Sequence, residues 1–369
     1  MIYADNAATT KLDIGAFEAM KPFLLDSYAN PSQPYSFSRS CKKAIKEARQ
    51  IIATCIGAEP EEIIFTSCGS ESDNWAIKLG AGKGGKIVTS TIEHHAVLNS
   101  CLALERDGRN IEYIPVDDSG TVGLDYTERC LMQGKGLLSV MFANNEIGSI
   151  QPISDLANLA HKYGFLFHTD AVQAVGHVSM NVHQLGIDML SASAHKFNGP
   201  KGIGFLYVKK GTDIFPYMDG GTQENGRRAG TENVASIVGM ATALKNNCQE
   251  ISETSHKLEN LTDILLNGLN EANIDYIRNG SKNILPGNIN LSFRGLEGEV
   301  LLHRLDLMGI CVSTGSACDS MNTQISHVIK AIGLAEEYAK GTIRITLGKD
   351  NTVDDVNTIV KCICRILKG

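Results

Sequence analysis

The sequence has no excess of basic residues. It contains 34 lysines and arginines against 41 aspartates and glutamates, which gives a formal net charge of −7. A protein that binds nucleic acid mainly through phosphate contacts needs a basic surface. The charge balance therefore argues against direct nucleic-acid binding as the main role.

Long apolar runs are also missing from the sequence. No stretch approaches the ~20 apolar residues that a membrane-spanning helix needs. The N-terminal stretch MIYADNAATTKLD has neither the basic start nor the apolar centre of a secretory signal. We therefore expect no membrane association and a cytoplasmic location.

The 10 cysteines show no spacing that is typical of a zinc site. Cys362 and Cys364 come nearest, but a single residue separates them, whereas zinc ligands usually have roughly two to four residues between them. In a cytosolic protein most thiols stay reduced and act as small buried hydrophobic groups. We therefore predict no metal site, and any functional cysteine has to be recognised by its neighbours.

Low-complexity segments and internal repeats are absent, and the 369 residues suffice for two domains of roughly 100–200 residues each. From about residue 60 to 210, short β-branched runs alternate with helical segments. This alternation predicts an α/β fold with a mostly parallel mixed sheet between helices. The predicted strands are 62–67, 86–91, 111–116, 137–143, 165–170, 189–195 and 202–208.

A long helical stretch at about 232–272 is expected to lead into a smaller α+β unit. That unit should contain strands at 288–293 and 342–348 and a C-terminal helix, and the first residues should pack with it. We therefore predict a large domain of residues 14–251 and a small domain formed by residues 1–13 and 252–369.

Polar residues collect after three of the predicted strands, where open α/β sheets bind their ligands. The first group, CGSESD at 68–73, precedes a predicted helix. Gly69 permits close approach of a ligand to the backbone, and free N–H groups at the start of the helix would attract an anion. The alternative is helix capping by Ser70, with Asp73 as a weak capping-box partner.

The second group contains Asp170 and Gln173 and the third surrounds Lys196. A carboxylate at a strand end can pair with a pyridinium nitrogen or can cap the next helix. A partly desolvated lysine between a strand and a Gly/Pro turn can bind a carbonyl cofactor covalently, with Ser193 and His195 beside a phosphate. A surface lysine is the alternative. Capping alone hardly explains three such groups at strand ends.

With these motifs the chain resembles the IscS/NifS-type cysteine desulfurases of the class-V aminotransferase family, over nearly its whole length. The matching segments are DNAATT (5–10), SESDN (70–74), EHHAVL (93–98), NNEIG (144–148), DAVQ (170–173), SAHK (193–196), RAGT (228–231) and GSAC (315–318). The resemblance implies the cofactor pyridoxal 5′-phosphate. It also implies conversion of L-cysteine to L-alanine, with the sulfur received by Cys318 as a persulfide.

The resemblance assigns roles around the cofactor. Lys196 would hold it covalently, Asp170 would pair with the ring nitrogen, and His94 would stack on the ring. The positions implied for the phosphate are Gly69, Ser70, Ser193 and His195, and those implied for the phenolic oxygen or ring alignment are Gln173 and Asn145.

Further positions concern the substrate, the catalytic thiol and the partners. Arg344 would clamp the substrate carboxylate, helped by Asn30; a surface arginine is the alternative. Cys318 lies in a loop rich in small residues, which suits an exposed nucleophile. Thr231 would reach the cofactor phosphate of the neighbouring subunit, which implies a homodimer. The implied sulfur acceptor is an iron–sulfur scaffold or a tRNA-thiolation enzyme.

The chain departs from the family pattern at three positions. Ser36 stands near the place of a usual histidine, Cys68 stands where the phosphate loop commonly has glycine, and Thr314 replaces a usual serine. Two alternatives stay open: another class-V enzyme, such as a selenocysteine lyase or an aminotransferase, and a non-catalytic scaffold with the same fold. An aminotransferase would not need the loop cysteine, and a scaffold would not need Lys196.

Overall fold

The computed structural model describes residues 1–82, 84–314 and 325–368. Its strands, in chain order, are β1 (Ile2–Tyr3), β2 (Ile63–Thr66), β3 (Lys86–Ser90), β4 (Ile111–Ile114), β5 (Gly136–Ser139), β6 (Leu166–Asp170), β7 (Met189–Ser193), β8 (Gly204–Val208), β9 (Tyr276–Asn279), β10 (Asn288–Phe293), β11 (Ile310–Cys311) and β12 (Thr342–Thr346).

The largest sheet has seven strands in the order β2-β8-β7-β6-β5-β3-β4. The pairs from β7 to β4 are parallel, and only β8 runs antiparallel to its neighbours β7 and β2. The prediction of a mostly parallel mixed sheet is confirmed. Because β2 therefore runs in the same direction as β7, the carboxyl ends of β2, β3, β5, β6 and β7 all meet at one edge of the sheet.

Helices cover both faces of this sheet. The described helices are α1 (Ile14–Leu25), α2 (Arg39–Ile56), α3 (Gly69–Gly80), α4 (His95–Arg106), α5 (Leu124–Leu131), α6 (Ile153–Lys162), α7 (Val234–Glu271), α8 (Gly298–Leu307), α9 (His327–Ala331), α10 (Glu336–Ala339) and α11 (Val353–Lys368).

The side chains of each strand alternate between the two faces of the sheet, and each face packs against a different set of helices. Successive side chains of a strand point to opposite faces, so Ile63 and Phe65 contribute to a core that includes α2, α6 and the first half of α7. Ile64 points the other way and packs with Trp75 and Ile77 of α3 and with α4. The sheet is thus buried on both faces, as its nearly continuous apolar strands predict.

A second core lies beyond the middle of α7. This helix has 38 residues, which makes it about 57 Å long at ~1.5 Å per residue. Its first half, including Leu244, packs in the core of the large sheet, whereas Leu258 and later residues pack with the antiparallel sheet β12-β10-β9 and α11. The proposed domain boundary at residue 251 falls between the two halves.

The N-terminal residues connect both cores. Strand β1 pairs with β11, and Ala4 lies in the second core. A few residues later, the Thr10 hydroxyl donates to the carbonyl of His195 over 2.9 Å, which attaches the same segment to the large sheet. In the described parts of the chain, no helix combines the length and apolar character that crossing a bilayer requires.

Candidate active site

A cavity of about 300 Å³ lies at the edge where the parallel strands end. Its lining consists of Ala7, Ala8, Cys68, Gly69, Ser70, Asp73, His94, Met141, Ala143, Asn145, Asp170, Val172, Gln173, Ser193, His195, Lys196 and Arg344. The lining includes Arg344 and every predicted cofactor residue except Thr231. Thr231 and Asn30 do not line the cavity, and Cys318 lies outside the described residues.

Lys196 lies in a short turn that directly follows β7. Its Nζ donates to the carbonyl oxygen of Ala8 over 2.8 Å and to that of Ala7. The side-chain amide of Gln173 donates to the same Ala7 carbonyl over 3.0 Å. The N-terminal segment therefore forms one wall of the cavity and brings the predicted lysine and glutamine together.

Asp170 is the last residue of β6 and is only 5% exposed. Its Oδ1 accepts a hydrogen bond from the backbone N–H of Val172 over 2.9 Å. Asp170 therefore makes a capping-type contact and also lines the cavity. Burial raises the pKa of this carboxyl, although His94 and Lys196 oppose the shift. A positively charged ring nitrogen would relieve the cost of holding a carboxylate here.

His94 stands at the N-terminus of α4, where its Nδ1 accepts from the backbone N–H of Ala96 over 3.1 Å. That contact leaves the ring proton on Nε2. Burial lowers the pKa of His94, so the imidazole is neutral near pH 7. A neutral, flat ring beside Asp170 is suited to stacking on an aromatic cofactor.

The start of α3 is arranged to receive an anion. Within the described residues, no side chain caps this helix. Its N-cap residue is Cys68 and Ser70 lies inside the first turn, so the alternative of capping by Ser70 is wrong. Uncapped N–H groups at a helix start attract phosphate. A Cβ built on Gly69 would lie 2.6 Å from Cγ2 of Val172, so only glycine fits this close approach.

His195 completes the same side of the cavity. Its Nδ1 lies 3.2 Å from the hydroxyl oxygen of Thr9. Burial, with smaller effects from Lys196 and Lys201, lowers the pKa of His195 to about 4. A neutral histidine can donate one hydrogen bond to a phosphate oxygen without adding a charge.

Arg344 lies on β12 and is only 4% exposed, so the alternative of a surface arginine is wrong. Its Nη2 contacts Oδ1 of Asp5 at 2.7 Å, and its Nη1 donates to the carbonyl of Asn145 over 2.9 Å. Nε is buried and has no hydrogen-bond partner within the described residues. The guanidinium is therefore fixed in place and keeps a donor for an incoming carboxylate.

Both ends of the segment that contains Cys318 are attached beside the cavity. Ser313 pairs with Arg344 through two backbone hydrogen bonds of 3.0 and 2.6 Å. On the other side, Nε2 of His327 donates to the carbonyl of Glu93 over 3.0 Å. Cys318 follows Ser313 by five residues, which can span at most ~17 Å. The cavity is within that reach.

The sequence-based interpretation missed three acidic residues of the site. Asp5 and Glu93 lie in matched segments but received no role, and Asp73 was considered only for capping. Asp73 and Glu93 are 1% and 0% exposed. The position of Glu93 shortly after β3 was an available signal, whereas the polar stretch around Asp73 gave none.

Of the three departures from the family pattern, only Cys68 belongs to the cavity. Ser36 lies in a short exposed turn before α2, and Thr314 is the last described residue before the segment with Cys318.

The same cavity also offers a possible ligand set for a metal ion. Asp73, His94 and Asp170 each place one potential ligand atom within 4.8 Å of the other two. The other donors fit an organic cofactor better, because a lysine amine, an uncapped helix start and a buried carboxylate match an aldehyde, a phosphate and a ring nitrogen. This combination at the strand ends of an α/β sheet defines the class as a pyridoxal-phosphate enzyme.

Comparisons with known proteins agree. The model of the aminotransferase class-V family matches residues 2–359. Cysteine desulfurase IscS of Dictyoglomus turgidum is 49% identical, and the match covers 100% of this chain and 94% of that protein. The structure of a NifS-like protein is 38% identical with a TM-score of 0.94, covering 100% and 99% of the two chains. That of SspA in complex with cysteine is 37% identical with a TM-score of 0.85, covering 95% and 100%.

The chain belongs to the class-V aminotransferase family of pyridoxal-phosphate enzymes and, within it, to the cysteine desulfurases of the IscS/NifS type.

Proposed function

We propose that this chain converts L-cysteine to L-alanine and transfers the sulfur to Cys318 as a persulfide. The observation that carries the proposal is one cavity that holds Lys196, Asp170 and Arg344, beside both attached ends of the Cys318 segment. The names of the relatives and the structure of a similar protein in complex with cysteine support the substrate.

The cofactor, when bound, supplies a pyridinium ring that withdraws electrons from the substrate α-carbon. Lys196 would hold it through Nζ and would later carry protons to and from the substrate. Asp170 would hold negative charge at the ring nitrogen, and the neutral ring of His94 would fix its plane. The uncapped start of α3, together with Ser193 and His195, would bind the phosphate.

The thiolate of Cys318 would attack the sulfur of the bound cysteine. An S–S bond forms, the C–S bond breaks, and its electron pair stays on the substrate carbon, which takes up a proton to become the methyl group of alanine. The sulfur remains on Cys318 as a persulfide. A thiolate is required because the neutral thiol is a poor nucleophile.

Arg344 would bind the substrate carboxylate. Arg344→Lys removes the planar fork, and hydrogen bonds to a charged group are each worth about 1.5–3 kcal/mol. We expect the KM for L-cysteine to rise roughly 10- to 100-fold. Steady-state kinetics would measure it, with Arg294→Lys as the control because Arg294 is exposed outside the cavity. An unchanged KM in Arg344→Lys would contradict the role.

We also propose that the active form is a homodimer, and two features support this. Thr231 is exposed and lies just before Val234, which packs with Ala29 and Cys41. The neighbouring stretch of chain exposes large apolar side chains, namely Leu24, Leu25, Tyr28, Tyr35 and Phe37. If a second subunit covered these side chains, Thr231 of one subunit would lie near the cavity of the other.

Thr231→Ala is expected to weaken retention of the cofactor about tenfold, because one hydrogen bond to a phosphate is lost. The dissociation constant can be measured by titrating apo-protein with pyridoxal phosphate and following absorbance. Thr222→Ala, an exposed change on the same loop, is the matched control. A monomer that binds the cofactor as tightly as the dimer would refute the shared site.

Product analysis tests the proposal as a whole. Purified yellow protein given L-cysteine should release alanine, and peptide mass spectrometry should find one added sulfur on Cys318. A keto-acid product without a persulfide would indicate an aminotransferase. Activity confined to L-selenocysteine would indicate a selenocysteine lyase, and a colourless protein that takes up no cofactor would indicate a scaffold.

The destination of the sulfur is the remaining part of the proposal. The outer sulfur of a persulfide can be passed to a protein thiol, so an iron–sulfur scaffold or a tRNA-thiolation enzyme in the cytoplasm is the proposed acceptor. Incubation with isotopically labelled cysteine and each candidate acceptor should label the true acceptor. Cys318 has to be present for that label to appear.

A further inference from the structure

Asp73 presents an unusual buried carboxyl group. It lies on α3, is 1% exposed and lines the cavity, yet its Oδ1 has no hydrogen-bond partner within the described residues. The hydroxyl of Ser191 is the side-chain donor that faces Asp73. An ionised carboxylate with so little compensation would be costly to bury.

The neighbouring imidazoles in the described part of the chain do not supply Asp73 with a positive charge. Nε2 of His168 lies 3.8 Å from Oδ1, but burial lowers the pKa of His168 to about 3. The His168 ring is instead held by the hydroxyls of Ser139 and Ser191, at 2.9 and 3.0 Å. His94, the other imidazole nearby, is neutral as well.

Other acidic side chains lie close to Asp73. A carboxyl oxygen of Asp170 lies within 4.8 Å of one from Asp73, and Glu93 and Cys68 also face it. Burial raises the pKa of Glu93 to about 8, so Glu93 is mostly protonated at neutral pH. Two buried carboxyl groups this close do not both ionise, so the pair Asp73–Asp170 shares one proton.

The surroundings decide where the proton resides. Asp170 accepts a backbone hydrogen bond from Val172 and faces the amine of Lys196, which favours its charged form. Asp73 lacks such support, and burial followed by the charge on Asp170 raises its pKa well above the ordinary value. The proton therefore resides on Asp73.

We propose that Asp73 is a positioning residue that works as a neutral carboxylic acid and keeps Asp170 negatively charged. The protonated carboxyl acts as a polar donor next to Asp170, which lets Asp170 face the ring nitrogen as a carboxylate. This inference rests on the proposed pairing of Asp170 with the cofactor.

The test compares two substitutions of similar size. Asp73→Asn keeps a neutral donor, whereas Asp73→Leu removes it. Pyridoxal phosphate should bind Asp73→Asn within about threefold of wild type and Asp73→Leu roughly 10- to 100-fold more weakly. If the asparagine variant loses as much affinity as the leucine variant, Asp73 works as a charged carboxylate and the inference is wrong.

The pH dependence of apo-protein stability provides a readout without cofactor. Because the folded-state pKa of Asp73 is raised, wild-type stability should fall as pH rises from about 4 towards that pKa. Asp73→Asn removes this loss, so its melting temperature should exceed that of wild type more at pH 8 than at pH 5. The exposed change Asp263→Asn on α7 serves as the control. Parallel pH curves for wild type and Asp73→Asn would overturn the inference.

Asp170→Asn separates failure of the inference from failure of its premise. If Asp170→Asn binds the cofactor like wild type, the pairing with the ring nitrogen is wrong and the inference falls with it. If Asp170→Asn weakens binding and Asp73→Asn matches Asp73→Leu, only the role of Asp73 is wrong. Infrared spectra of the apo-protein should show a protonated-carboxyl band that Asp73→Asn diminishes, with Glu93→Gln identifying the contribution of Glu93.

Discussion

A Cys318→Ser variant is expected to form no persulfide and to release alanine from L-cysteine at least about a thousandfold more slowly than wild type. Serine keeps the size and polarity of the side chain but is not ionised near neutral pH. Without a thiolate, the sulfur of the substrate has no acceptor and the C–S bond stays intact. Alanine quantification and mass spectrometry of the peptide around residue 318 would measure both effects.

The control for this variant is another thiol. Cys362 is half-buried on α11 and packs against the second core, away from the cavity, so Cys362→Ser should keep the Cys318 persulfide. Cys68 is the competing candidate because it lines the cavity. A persulfide found on Cys68 instead of Cys318 in the wild-type protein would show that the acceptor has been misassigned.

Lys196→Ala is expected to abolish covalent attachment of the cofactor and to reduce turnover by about a thousandfold or more. Lys196 is held by two backbone carbonyls of the N-terminal segment, and no other described lysine lines the cavity. Borohydride reduction followed by peptide mapping should find the cofactor on Lys196 in wild type and at no site in the variant.

Lys201→Ala is the matched control, since Lys201 lies five residues further along and is exposed. It should keep the borohydride-fixed cofactor on Lys196. Fixation of the cofactor elsewhere in Lys196→Ala, with turnover near wild type, would mean that another amine has this role.

The sheet could be predicted from the sequence because its signal is local. Each buried strand is a short apolar run, and the seven strands predicted between residues 60 and 210 all appear, although β5 ends at Ser139 and not at 143. The antiparallel direction of β8 could not be predicted in this way. Direction depends on which strands become neighbours, and a strand's own composition does not reveal it.

The part of the site that depends on local sequence could also be predicted. Asp170 and Lys196 follow strands, so the rule that ligands bind at strand ends brings them together. The ion pair between Arg344 and Asp5 joins residues at opposite ends of the chain, and no local pattern indicates it. Asp73 was considered only as a capping residue, because a sequence pattern indicates helix caps. Its burial beside His168 of β6 depends on tertiary packing, which no local pattern reveals.

The contact between Asp5 and Arg344 also has a consequence for biosynthesis. These residues are separated by almost the whole chain, and Arg344 is anchored in a sheet whose strands come from the last third of the sequence. During translation, the large sheet can form while the ribosome still holds the arginine. The pair between Asp5 and Arg344, and with it this wall of the cavity, can form only after Arg344 has emerged from the ribosome.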